Sequence, residues 1–312
     1  MTACAMGLPV TVYQRLKRFG CPPQFLQLIV LVSTCNTEVP ASLVLLELFC
    51  GVAAVTRAFA EAGLPAMGCD YLKDPDTNDM LSSAGFLHAI AMTLKLDPQA
   101  GFLWLATVCS SWVWICRSSS KRSREFPLGV PCRSNREANC MVARCCLLMV
   151  LCIAKGCAWC LEQPSSSLMV CHPAMRWVSS LAGKHVNADW WEASTCMGAF
   201  DGDTVKPTTL YGNRYFVLAL GRSRRGIKGD SHLVTTLKVD AATGQKSVSG
   251  GPKLKQTQAY PDGFGKAVLD AYVDVGCITS IPDCEPELDG EYEYPVGVWE
   301  LADLGSVLRD AS

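Results

Sequence analysis

Four short, almost unbroken apolar runs punctuate the chain up to residue 162: Leu43–Phe49, Ala66–Cys69, Phe102–Val108 and Ala158–Glu162. Segments of helical spacing separate them, at Val52–Ala62, Ser82–Leu96 and Glu137–Lys155. A strand that is apolar on both faces must be covered on both faces, and a parallel strand needs a crossover of a dozen or more residues to reach its neighbour. Alternation of this kind therefore predicts a doubly wound α/β domain with a parallel sheet. After Trp190 the pattern changes. Ser194–Phe200 and Thr208–Phe216 read as an antiparallel pair, Leu233–Val239 and Gln245–Ser249 as a hairpin, and Gly263–Val275 as a helix that Asp262 can cap.

The flanks divide the chain of 312 residues into three stretches. Residues 1–40 read as an N-terminal helical extension, 41–280 as the main domain, and 281–312 as a peripheral acidic tail. From Asp283 onward there are nine acids against the single base Arg309, whereas the whole chain carries −1, so the body is mildly basic. That balance suits a polyanionic ligand. Hydrophobic residues at 49% and charged residues at 18% exclude an extended disordered chain.

The 18 cysteines invite a disulfide or zinc reading, but such scaffolds are short, secreted and poor in core. Cys145, Cys146 and Cys152 sit inside an apolar helical run, where Cys behaves as a small hydrophobe. Cys157 and Cys160 form a lone CxxC, whereas a structural zinc needs four ligands, so no metal is expected. The apolar runs fall short of a membrane span, and the N-terminus lacks the basic start of a signal peptide. The expectation is an intracellular protein in a reducing compartment, with no membrane partner and an open oligomeric state.

Three places carry the residues of a reactive site. Glu47, Phe49 and Gly51 lie where the first strand turns into a helix, and Asp70 ends the next strand, followed by Tyr71. A glycine at such a turn lets a ligand approach the backbone, and an acid after the next strand accepts ribose hydroxyls. Cys109 follows the third strand at the sheet edge where doubly wound folds seat ligands. Glu162 ends the fourth strand, before Gln163 and Pro164. Between the last two, the loop Ser110–Arg136 mixes Arg117, Lys121, Arg122 and Arg124 with Trp112 and Trp114. Cations interleaved with aromatics suit phosphate contact and base stacking. A second basic cluster holds Arg222, Arg224, Arg225 and Lys228.

The segment Leu46–Gly51 (LELFCG) resembles the (D/E)LF-C/S-G segment that opens the catalytic domain of DNA cytosine-5 methyltransferases. Val108–Trp112 is similar to that family's Pro-Cys segment, and Glu162–Pro164 to its Glu-Asn-(Val/Pro) segment. Lys206–Thr208 and Ala259–Gly265 resemble later segments, and all occur in family order across about 43–272. The resemblance implies a Rossmann-like class I methyltransferase fold, a mostly parallel seven-stranded sheet with helices on both faces. It implies S-adenosyl-L-methionine as cofactor, with Phe49 and Gly51 lining its pocket, Asp70 on the ribose and Asp79 on the adenine.

It further implies methyl transfer to cytosine C5 in DNA, with Cys109 adding to C6 as the nucleophile and Glu162 holding the base. The loop cations and the neighbouring Ser110 would contact nucleic acid, with DNA ahead of RNA and the nucleus as location if the source is eukaryotic. The cations are also expected to favour the Cys109 thiolate. About 211–255 stands where a short recognition insert belongs. The chain departs from the family at Ala53 in place of a second glycine, Val108 in place of proline and Gln163 in place of asparagine, and it has no QxRxR segment. A methyltransferase with RNA or another acceptor, a non-catalytic nucleic-acid-binding relative and a Rossmann oxidoreductase remain alternatives.

Overall fold

The computed structural model describes residues 10–35, 42–225, 235–239, 246–250, 257–275 and 297–311, with single residues at 227, 244 and 254. Lys228 and the acids between 283 and 293 lie outside the described residues.

The apolar runs form strands β1 (Leu45–Leu48), β2 (Ala66–Cys69), β3 (Phe102–Leu105) and β4 (Ala158–Pro164), and the later pair forms β5 (Trp191–Cys196) and β6 (Pro207–Gly212). They build one sheet in the order β2-β1-β3-β4-β6-β5. β1 to β4 pair in parallel, whereas β6 is antiparallel to both β4 and β5. The domain is thus α/β with a mixed six-stranded sheet, compatible with a Rossmann-like fold. This corrects the expected seven-stranded sheet: the six strands are all that join it among the described residues, and β6 reverses direction because a short loop, not a crossover, brings the chain back from β5. Strands β7 (Thr235–Val239) and β8 (Lys246–Gly250) form a separate antiparallel hairpin. Tyr211, at the start of the expected recognition insert, belongs to β6 and is buried.

Side chains alternate between the sheet's two faces, each with its own core. Leu46, Leu48, Leu103, Leu105, Trp159 and Leu161 face helices α1 (Val10–Arg18), α2 (Pro23–Cys35), α5 (Ser83–Leu94), α7 (Arg133–Lys155) and α8 (Pro173–Ser180). Leu45, Phe102, Trp104, Ala158 and Cys160 face α3 (Ala54–Glu61) and α9 (Asp262–Val275). Two four-residue helices, α4 (Pro75–Asn78) and α6 (Arg117–Ser120), lie in connections. Helix α7 is long and apolar enough to cross a membrane, but most of it is buried inside the domain. Cys145, Cys146 and Cys152 are among its buried residues, and every described cysteine is a free thiol.

Neither flank behaves as an appendage where it is described. Leu16, Phe25, Leu28 and Ile29 of the N-terminal helices are fully buried in the larger core. The tail was expected to be peripheral, yet Trp299, Ala302 and, in helix α10 (Leu304–Asp310), Leu304 and Val307 are buried in that same core. The buried guanidinium of Arg144 on α7 donates to the carbonyls of Ala302, Met80 and Ser82, joining the tail to the loop before α5. Trp299 meets Trp177 edge to face, with centroids 5.0 Å apart. Trp299→Ala should therefore lower unfolding stability in urea by about 3–5 kcal/mol, as for a core aromatic. A loss below about 0.5 kcal/mol would mean that the tail is peripheral after all.

Candidate active site at the sheet switch point

From β1 the chain steps to β2 on one side and then returns across β1 to reach β3 on the other, so winding reverses at β1. Such a reversal opens a crevice at the carboxyl ends of the strands. Three connections meet there: the turn after β1, the chain after β3 and the end of β4. In register, Leu48 stands beside Leu105, and Leu105 beside Leu161. The turn at Phe49, the chain running to Cys109, and Glu162 therefore follow one another along one edge, about 4.8 Å per strand spacing.

The turn after β1 is tightly wound. Phe49, Gly51 and Ala53 all have left-handed backbones, with φ of 63°, 51° and 58°. Glycine takes this conformation freely, but a residue with a Cβ pays about 1–2 kcal/mol for it. Phe49 and Ala53 thus both hold strained backbones in this turn. The Gly51 N–H donates to Asp70 Oδ2 at 2.8 Å, and the Leu72 N–H to Oδ1 at 2.8 Å. Asp70 locks the first turn to the second while each oxygen keeps a lone pair. Beside it lies a small cleft open to solvent. Leu48, Phe49, Cys69, Met80 and Ala89 supply its apolar wall, and Asp70, Asn78 and His88 its polar groups. Burial, with Lys95 nearby, holds the His88 imidazole below its ordinary value, so it is neutral at pH 7. One carboxylate and two neutral polar groups over an apolar wall suit a nucleoside better than a phosphate.

Four expected cofactor residues do not line the cleft, the first being Gly51, which reaches it only through the Asp70 carboxylate that its N–H holds. Asp79 does not line the cleft; its Oδ1 accepts the Leu81 N–H at 2.9 Å, and its neighbours Asn78 and Met80 face the opening. Tyr71 is exposed and off the cleft. Glu47 is fully buried on the α3 side of the sheet, where it accepts the Thr56 N–H at 2.7 Å and the Thr56 hydroxyl. It pins the first turn of α3 to β1, satisfying an amide that has no partner within the helix.

At the other end of the edge, Cys109 is half-buried and Glu162 is buried. Tyr260 donates its hydroxyl to Glu162 Oε2 at 3.2 Å, and the Lys206 ammonium stands 3.5 Å from Oε1. The two short segments Lys206–Thr208 and Ala259–Gly265 thus converge on Glu162 from separate parts of the chain. Gly265 makes this possible, because a Cβ there would meet the Ala54 carbonyl oxygen at 2.2 Å. Burial and the Glu162 charge hold Tyr260 well above its ordinary value, so it stays a donor. Gln163 donates to the Thr107 carbonyl at 2.8 Å and so ties the β4 end to the strand leading into Cys109.

The expectation of a Cys109 thiolate favoured by loop cations is overturned. Burial pushes the thiol up to about 11, the Glu162 carboxylate adds to the push, and the cation that opposes it is Lys206 rather than any loop residue. The loop itself is braced. Arg122 is buried, lies 3.5 Å over the Trp112 ring and donates to Asn139 and to the carbonyl of Pro127, so it holds the loop together and is not free for phosphate. Ser110, Arg117, Lys121 and Arg124 are exposed on the same loop, with Trp114 and Phe126 about half exposed. In the second cluster Arg222 and Arg224 are exposed, and Arg222 donates to the carbonyls of Ala219 and Gly221.

Lys206, Tyr260, Asn78 and His88 are the site residues that sequence reasoning did not single out. The first two lay inside segments already noticed, which is the signal that could have found them. Glu47 yields a test of the pinned turn. Burial raises its carboxyl above the ordinary value despite the Thr56 hydrogen bonds. The fold thus favours the protonated form, so its contribution to stability is complete in acid and is lost as pH rises through the ordinary carboxylate value to the raised one. Glu47→Gln keeps an acceptor for Thr56 without the charge. In urea titrations the variant should gain on the wild type as pH climbs from about 4 to about 7; curves that stay parallel would contradict the burial of this charge.

No family model, curated protein or solved structure matches the chain.

Proposed function

We propose that this chain transfers a methyl group from S-adenosylmethionine to cytosine C5 in nucleic acid, DNA ahead of RNA. The observation that carries the reading is the convergence at the winding reversal: the Phe49–Ala53 turn and Asp70 on one side, and Cys109 with Glu162 one and two strands along. The cleft beside Asp70 would take the adenosyl group, with the carboxylate on the ribose and Asn78 or His88 at the base edge. The cofactor supplies the electrophilic methyl.

The chain's own residues do the rest. The Cys109 thiolate adds to C6 of the cytosine, which makes C5 nucleophilic enough to take the methyl; a general base then takes the C5 proton, the C6–S bond breaks and Cys109 departs as thiolate. Glu162 Oε1 is buried without a hydrogen bond, so it can accept one from the base's exocyclic amine. Tyr260 and Lys206 keep that carboxylate in place. A base buried in a duplex must leave the stack to reach such a site. The exposed Trp114, with Arg117, Lys121 and Arg124, offers a stacking and phosphate surface on the adjoining loop.

One observation favours a second reading, a nucleic-acid-binding relative without turnover: burial and the Glu162 carboxylate hold the Cys109 thiol up at about 11. One experiment separates the two. Duplex DNA carrying 5-fluorocytosine, incubated with the chain and S-adenosylmethionine, should trap a covalent complex that survives denaturation, because fluorine at C5 cannot leave as the proton does. Cys109→Ala should abolish it. DNA retained without any adduct would support the second reading and contradict methyl transfer to C5.

A further inference from the structure

Cys109 and Glu162 make opposed demands on one another. A thiolate formed beside a buried carboxylate brings two negative charges together in a medium that screens them poorly. The groups acting on Cys109 are Glu162 from β4, Lys206 from the segment entering β6, and Cys116 from the turn at 114–116; Glu162 and Cys116 disfavour the thiolate, and Lys206 favours it. Lys206 is built into its place. Its side chain is 17% exposed and that of Glu162 7%, with Nζ 3.5 Å from Oε1. Nζ also lies 5.3 Å from the centre of the Tyr260 ring, whose hydroxyl holds the other carboxylate oxygen.

The backbone at Lys206 has φ of 31°, a conformation that L side chains rarely adopt. It is fixed by the Met197 N–H and the Thr208 hydroxyl, both donating to the Lys206 carbonyl, and by Pro207 after it. A lysine held at a strained backbone, largely out of water and against a buried acid, is not a solvated surface charge.

We propose that Lys206 is a positioning residue: it fixes Glu162 for the base and provides the positive charge that lets Cys109 ionise beside it. This rests on the reading of Cys109 as nucleophile, but its test needs neither cofactor nor nucleic acid. The rate of iodoacetamide alkylation at Cys109 in the full-length chain, followed by peptide mass spectrometry, is measured against pH.

Lys206→Met should slow Cys109 alkylation at neutral pH about tenfold and move its profile to higher pH. Lys206→Arg should restore it to within about threefold of wild type, and Glu162→Gln should speed it. Should Lys206→Met fail to fold, the double variant Lys206→Met/Glu162→Gln leaves no buried carboxylate unpaired and differs from Glu162→Gln only in the cation. It must then react more slowly than Glu162→Gln. An unmoved profile in Lys206→Met, equal rates in the latter pair, or no rescue by Lys206→Arg would overturn the proposal. Failure to detect methyl transfer would leave these rates unchanged and would count against the function alone.

Discussion

Everything in this molecule that bears on chemistry depends on the reversal of winding at β1. Because the chain steps one way to β2 and returns across β1 to β3, the connections leaving β1 and β3 diverge at the carboxyl ends of these strands. The crevice is thus a product of strand order, set by which apolar run pairs with which. Both cores serve that arrangement. The larger one presses α5 and α7 on one face, and the smaller one presses α3 and α9 on the other, so the turn at Phe49–Ala53 is held from below and can sustain three left-handed residues in five.

The two halves of the edge differ in electrostatic character. Around Asp70 the polar groups are partly open to water, and both carboxylate oxygens are already engaged by backbone N–H groups. Around Glu162 the setting is dry, with Oε1 paired to the Lys206 ammonium at 3.5 Å but making no hydrogen bond. That oxygen keeps lone pairs that a ligand's donor can use. The first half is suited to recognising a neutral, hydroxylated ligand and the second to gripping a donor, while the Cys109 thiol between them stays protonated until the local charge changes.

Much of this was legible in the sequence. Continuous apolar runs announced β1 to β4 because a strand covered on both faces leaves no room for polar alternation. Gly51, Asp70, Cys109 and Glu162 were legible because each follows such a run, and strand ends are where this architecture collects its ligands. What could not be read was which way a side chain turns. Asn78 and Asp79 are adjacent, and only the geometry of α4 decides that the first faces the cleft. Arg122 reads as one more loop cation, yet its guanidinium is consumed by Trp112 and Asn139. Glu47 falls in a quoted motif, but strand alternation sends it beneath α3. The tail misled through composition: its acids conceal Trp299, Ala302, Leu304 and Val307, whose near-helical spacing carried the signal of a packed face.

We propose that the crevice beside Asp70 seats the adenosyl group of a methyl donor, with its sulfur turned toward Cys109. A crystal structure of the chain grown with S-adenosylhomocysteine tests this most directly. The nucleoside should lie between Phe49, Asp70 and His88, with its ribose hydroxyls on the Asp70 carboxylate and its sulfur on the β3 side of the turn. A ligand lodged elsewhere, or a saturated crystal with this crevice vacant, would contradict it.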